Sequence, residues 1–149
     1  MTVIQALEMM KTHVVTVRLD STLADAVDRM DLYQVDELPV VDGDARLCGM
    51  LLESDVALAV AKLVLTATGS KSASGVDGAA DVAEHRVKSI MQTNILSVRD
   101  TEEVTLSLIV EILEDCRRVP VVDAEGKIVG TLNRVDIIQA LFERTITPS

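Results

Sequence analysis

Few side chains in this sequence are of the types that do covalent or metal chemistry, and their spacing argues against both. Cys48 and Cys116 share no metal-ligand spacing with each other or with His13 and His85. A reduced cysteine without such partners packs as a small hydrophobe. The sequence offers no nucleophile paired with a base, no glycine-rich phosphate loop and no metal set, so it reads as non-enzymatic. The polar residues that stand out are Asp55 and Asp136. Each follows a glycine, Gly49 or Gly130, at the same distance and opens an apolar stretch of helical spacing. Asn133-x-x-Asp136 also forms a capping pair for a helix N-terminus, and a carboxylate at Asp55 suits the positive end of the helix dipole. Arg117 and Arg118 stand just before Val119-Pro120, and Arg134 lies two residues before Asp136. The matching places nearer the N-terminus hold Asp36, Glu37 and Glu53. These six charges either face a bound anion or form a solvated surface. His13 reads as a polar entry to a strand.

Those matching places exist because the chain contains an internal repeat, the feature to seek first in any sequence. Leu38-Pro39-Val40-Val41-Asp42 returns as Val119-Pro120-Val121-Val122-Asp123, 81 residues later. The same offset carries Met10 to Met91, Val17-Arg18 to Val98-Arg99, Gly49 to Gly130, Leu51 to Leu132, Asp55 to Asp136 and Ala59 to Ala140, without a gap. Each copy opens on a short β-branched strand, Val14 to Val17 or Ile95 to Val98. A helix follows, with Leu23, Ala26, Val27 and Met30 on one face in the first copy and Val104, Leu108, Ile109, Ile112 and Leu113 in the second. Asp20 or Ser21, and Asp100 or Thr101, are the expected caps. Next comes a strand, Leu38 to Val41 or Val119 to Val122, with a Pro at its start, then a turn at Asp42-Gly43-Asp44 or Asp123 to Gly126, and a second strand, Leu47 to Leu52 or Lys127 to Leu132. A closing helix starts near Ser54 or Arg134. The order per copy is strand, helix, strand, strand, helix. One such unit is too small to close a core alone; two together are large enough.

The stretch from Thr66 to Ala80 is rich in Gly and Ser and reads as a flexible loop. Ala79 to Met91 reads as a lead-in helix, with Ile4 to Met10 as its counterpart. The expected division is residues 1–68 as first repeat, 69–82 as linker and 83–149 as second repeat. With 149 residues, 48% of them hydrophobic, the chain can bury a core without metal or disulfides. Tyr33 and Phe142 are the only aromatic residues, so Val, Leu, Ile, Ala and Met must fill that core. A net charge of −10 repels nucleic acid and anionic membrane surfaces, and no basic stripe with aromatics is present to stack bases. The longest apolar run, Val56 to Leu65, is broken by Lys62 and is too short to span a bilayer; neither membrane nor nucleic acid is an expected partner. With no signal-peptide pattern at its start, the chain's expected address is cytoplasmic.

Met-x5-Thr/Ser-Val, an apolar-Pro-Val-Val-Asp strand and Gly-x-Leu-x3-Asp before a helix together resemble the CBS domain, named after cystathionine β-synthase. The resemblance runs from about Val3 to Arg144 and occurs twice. It implies an α/β fold in which two CBS repeats pack as one pseudo-twofold module, a Bateman module. It further implies a regulatory or sensor role, with AMP, ADP, ATP or S-adenosylmethionine held between the repeats as a regulatory ligand, and no required cofactor. Such modules commonly form homodimers and modulate another protein, here a separate and unknown chain.

The family's ribose-binding aspartate closes a Gly-x-x-Thr/Ser-x-x-Asp motif, and Asp55 and Asp136 match it. A carboxylate there accepts hydrogen bonds from both ribose hydroxyls. The sequence departs from the motif at the Thr/Ser position, where Leu52 cannot hydrogen-bond and Asn133 can donate. The resemblance further implies that Arg117, Arg118 and Arg134 face the phosphate of a nucleotide whose ribose Asp55 holds, while Asp36, Glu37 and Glu53 repel phosphate at the Asp136 site. Thr16 and Ser97 either touch an adenine edge or are plain strand residues, and Pro39 and Pro120 complete the expected lining. Loss of the Thr/Ser hydroxyls supports a second reading, a CBS-fold dimerisation or interaction module that binds no nucleotide.

Overall fold

The computed structural model describes residues 3–5, 10, 12–69, 84–115 and 118–146. In chain order these form β1 (Val3–Gln5), β2 (Val17–Arg18), α1 (Leu23–Tyr33), β3 (Glu37–Val41), β4 (Leu47–Leu52), α2 (Glu53–Gly69), a 3₁₀ turn (Val87–Ser89), β5 (Val98–Arg99), β6 (Glu103–Thr105), α3 (Leu106–Asp115), β7 (Arg118–Val122), β8 (Ile128–Asn133) and α4 (Arg134–Ile146). They pack into two compact units, Val15–Ile95 and Met1–Val14 with Leu96–Ser149. Each unit holds a three-stranded sheet, β2-β3-β4 or β5-β7-β8. In each sheet the middle strand runs parallel to the first and antiparallel to the third.

The repeat offset survives in the register of these sheets. Leu38 faces Leu51, Pro39 faces Met50 and Val40 faces Gly49. In the other unit Val119 faces Leu132, Pro120 faces Thr131 and Val121 faces Gly130, each pair displaced by the same offset. Even the irregularity in the ladder recurs, between Val40 and Val41 and between Val121 and Val122. One face of each sheet is sealed by matching buried residues, Val17, Leu38, Val40, Leu51 and Val56 in one core and Val98, Val119, Val121, Leu132 and Ile137 in the other. Full burial of side chains of this size stabilises by about 1.5–3 kcal/mol each.

Pro39 and Pro120 lie inside their strands, which begin one residue earlier than expected, at Glu37 and Arg118. Both backbone groups of Met50 bond to Gln92 and so point away from β3. Its partner Pro39 therefore turns its nitrogen away from β4, to a side where β2 pairs only from Val40 onward. The missing N–H leaves no ladder bond unmade.

The first helices of the two repeats break the strict offset. Thr22 caps α1 by accepting from the Asp25 N–H, and the Thr105 hydroxyl accepts from the Leu108 N–H at the start of α3. Neither cap is among the expected residues. Val104, expected on the helix, instead lies in β6, which pairs with β1 and delays the start of α3. The offset would place Ala26 and Met30 on Ser107 and Glu111, yet these are exposed, and Ile109 and Ile112 carry the buried face.

The lead-in segments are exchanged between the sequence repeats. Gln5 of β1 faces Glu103 of β6, and Arg86 bridges to Thr22, each contact displaced by the repeat offset. Residues 84–95 thus pack with the first repeat's sheet, and the packing units divide the chain differently from the sequence repeats. Val87 is fully buried in the first core, with Ile90 and Met91 packed against it. The Leu23 N–H donates to His85 O, and the Val87 N–H to Ser21 O. Of the expected lead-in helices, the described residues form a strand at Val3–Gln5 and a 3₁₀ turn at Val87–Ser89, each beside a neighbouring ladder; residues 6–9 and 79–83 lie outside the described residues. Helix α2 runs on to Gly69 through part of the expected loop; residues 70–83 of that loop and linker lie outside the described residues.

In the hairpin turns an aspartate side chain ties the loop. Asp42 Oδ1 accepts from the Asp44 and Arg46 N–H groups, and Asp123 Oδ1 from those of Glu125 and Lys127. Those two backbone donors hold the Asp42 carboxyl below its ordinary pKa. The left-handed position of the first turn is Ala45 at φ 65°, matched by Gly126 at φ 83° in the second.

Candidate functional site

Each closing helix begins directly after the last strand residue, with no loop between. Leu52 ends β4 and Glu53 starts α2; Asn133 ends β8 and Arg134 starts α4. The Glu53 N–H at this junction donates to Asp36 O at 2.9 Å. The third residue of each helix is the aspartate, Asp55 or Asp136, held in the first turn where the helix dipole favours a negative charge. Both are half-buried, and Oδ2 of Asp136 is shielded from solvent.

The surroundings of the two aspartates differ. Arg118 and Asn133 are register partners across β7 and β8, and Arg118 Nε donates to Asn133 Oδ1 at 3.0 Å. The oxygen of Asn133, expected to act as a donor residue, is therefore engaged in holding a guanidinium at the end of the hairpin. The corresponding pair in the first repeat is Glu37 and Leu52, a carboxylate facing an apolar side chain. Arg134 follows directly on α4 and is exposed, where the first repeat has Glu53. The strand–helix end of one unit thus gathers two cations and an amide, and that of the other two acids and a leucine.

The remaining expected residues fall as follows. Pro39 and Pro120 are buried inside β3 and β7. Thr16, half-buried, and Ser97, exposed, precede β2 and β5. Arg117 and Cys116 lie outside the described residues. His13 is exposed. Burial, with a smaller effect from Asp42, raises the pKa of the Cys48 thiol and keeps it protonated. Among the described residues, no three His, Cys, Asp or Glu side chains converge on a metal-sized site, and no helix is long and apolar enough to cross a membrane.

One residue of the site went unnoticed in the sequence. Gln92 Nε2 donates to Asp55 Oδ2 at 2.8 Å. Its backbone is paired to Met50 in both directions, at 2.9 and 2.8 Å. No local pattern announces this contact, because it joins residues 37 apart through a lead-in segment that packs on the other repeat.

The CBS domain family pattern matches the chain twice, over residues 4–62 and 87–143. A CBS domain-containing protein of Dictyostelium discoideum is 26% identical over 136 residues, covering 91% of this chain and 90% of its own length. CBSX2 of Arabidopsis thaliana, solved in complex with AMP, is 24% identical, with 95% of this chain and 98% of that one covered at a TM-score of 0.70. The CBS domain pair of protein MJ0100, solved with 5′-methylthioadenosine and S-adenosyl-L-methionine, is 19% identical, with 96% and 99% covered at a TM-score of 0.68.

Proposed function

The chain belongs to the CBS domain family, and from that premise we propose that it is a non-catalytic regulatory module that binds an adenosyl nucleotide and modulates a separate protein. The observation that carries this reading is the pair of aspartates. Asp55 and Asp136 occupy the same turn of equivalent helices, each at the end of a hairpin in identical register. A carboxylate held there accepts two hydroxyl donors of a ribose, and helix N–H groups nearby favour an anion. AMP, ADP, ATP and S-adenosylmethionine are the ligands of this chemistry. The two structural relatives named above hold ligands of the same class within the same fold.

The charges rank the two sites. Arg118 and Arg134 are the cations assigned to a ligand's phosphate, and Glu37 and Glu53 are the carboxylates that disfavour one. Unit charges a few ångströms apart near a protein surface interact by on the order of 1–4 kcal/mol, enough to fill one site first. The test is calorimetry on the full chain with AMP and with adenosine. Arg118→Glu should weaken AMP about tenfold or more, a loss of about 1.4 kcal/mol, and leave adenosine within about threefold. Equal losses for both ligands would remove the phosphate role from Arg118.

A second reading has one observation in its favour. Leu52 removes the hydrogen-bonding group that this motif usually supplies, which suits an interaction module that holds no nucleotide. Under either reading the chain forms a homodimer. Leu58 on α2 and Val135, Ile138 and Phe142 on α4 are exposed, and burial against a second copy removes that apolar surface from water.

A further inference from the structure

Among the described residues, Gln92 is the side chain that donates to the Asp55 carboxylate, and its backbone is tied at both polar groups. The segment carrying it lies along the outer edge of β4, bonded to Met50 by both backbone groups. Gly49 leaves room for it: a Cβ there would overlap the Gln92 carbonyl oxygen and would come within 3.1 Å of Met91 Sδ. Five residues earlier Val87 anchors the same segment in the core at 0% exposure. An amide fixed in this way holds one carboxylate oxygen of Asp55 in a constant direction. An unrestrained aspartate would have to lose that rotational freedom on meeting a ligand.

We propose that Gln92 is a positioning residue that makes the Asp55 site selective for a vicinal diol; this rests on the nucleotide reading above. The amide donates to Oδ2 and leaves Oδ1, together with the second lone pair of Oδ2, as acceptors for two adjacent hydroxyls. The amide also keeps its own carbonyl oxygen as an acceptor and its second N–H as a donor. A site that presents fixed acceptors discriminates strongly against a ligand lacking one hydroxyl, since a desolvated acceptor is then left unmatched. Such selectivity is a property of the first repeat: the position 81 residues before Gln92 is Lys11, which has no amide and lies outside the described residues.

The experiment compares AMP with 2′-deoxy-AMP by calorimetry on the full chain, unsubstituted and as Gln92→Leu and Gln92→Asn. The unsubstituted chain should prefer AMP by about tenfold or more. Both variants should weaken AMP by about three- to tenfold and 2′-deoxy-AMP by less than twofold, so that the preference narrows; asparagine keeps the amide but is one methylene too short to reach. Gln92→Glu, which brings a like charge against Asp55, should weaken AMP further. A general loss of packing would lower both affinities together and leave their ratio unchanged, and that result overturns the positioning role alone. Absence of binding of AMP, ADP, ATP and S-adenosylmethionine to the unsubstituted chain overturns the nucleotide reading and the role of Gln92 with it.

Discussion

Replacing Gly49 with alanine should unseat the segment that carries Gln92. The new methyl group would overlap the Gln92 carbonyl oxygen, with Met91 Sδ at 3.1 Å and Met91 Cγ at 3.3 Å closing the other side. A methionine side chain can yield, but the carbonyl cannot move without loosening the two backbone hydrogen bonds to Met50. Each contributes about 0.5–1.5 kcal/mol net, so a local shift costs about 1–3 kcal/mol. If the segment is released further, Val87 leaves the core and adds about 1.5–3 kcal/mol. Gly43→Ala is the control. Its Cβ would meet only the far end of Arg18, at 3.6 Å, and its φ is not positive, so stability should stay within about 0.5 kcal/mol. Urea denaturation followed by circular dichroism measures both. A Gly49→Ala loss no larger than that of Gly43→Ala would refute the claim that Gln92 is seated against Met50 of β4.

The hairpin turns give a matched pair of tests on the same denaturation curves: Ala45→Gly should stabilise by about 0.5–1 kcal/mol and Gly126→Ala should destabilise by about 1 kcal/mol, since only glycine adopts a positive φ without strain; the opposite sign at either position would contradict the assigned geometry. Asp42 has a folded pKa depressed below its ordinary 3.8, so it contributes stability above that pH and loses it as pH falls further, through the folded value. Asp42→Asn keeps the acceptor and removes the titration, so its stability should fall less than that of the unsubstituted chain between pH 4 and about pH 2; superimposable acid limbs would contradict the assignment. Light scattering should give twice the 16.1 kDa chain mass, and Ile138→Lys on the exposed face of α4 should shift that mass toward one chain; a monomeric mass for the unsubstituted chain at tens of micromolar would count against the homodimer.

The sheets were legible in the sequence because their residues are fixed by two constraints at once, burial and pairing with a neighbour. Leu38, Val40 and Leu51 must face the core together, so copies of them recur at one offset. The first helix of each repeat obeys only one constraint, an apolar face, and that face can slide along the sequence. Ala26 and Met30 are therefore answered by Ile109 and Ile112 out of register. The caps Thr22 and Thr105 depended on where α1 and α3 began, which β1 pairing with β6 decided for the second copy. The placement of the aspartates followed from the strand–helix junction and was readable. The Arg118–Asn133 bond needed the register of β7 and β8, which the hairpin turn supplies. Gln92 was beyond reach, since its partner is decided by the exchange of lead-in segments and by the room left at Gly49, neither of which has a local sequence pattern.

The central claim is that an adenosyl ligand is held at Asp55. Isothermal titration of AMP into the full chain, unsubstituted and as Asp55→Ala, tests it most directly. The expected result is saturable binding that Asp55→Ala weakens about tenfold or more, through loss of a charged hydrogen-bond acceptor to the ribose, while Asp136→Ala changes the first binding event by less than about threefold. Equal affinities for the unsubstituted chain and Asp55→Ala would contradict the account.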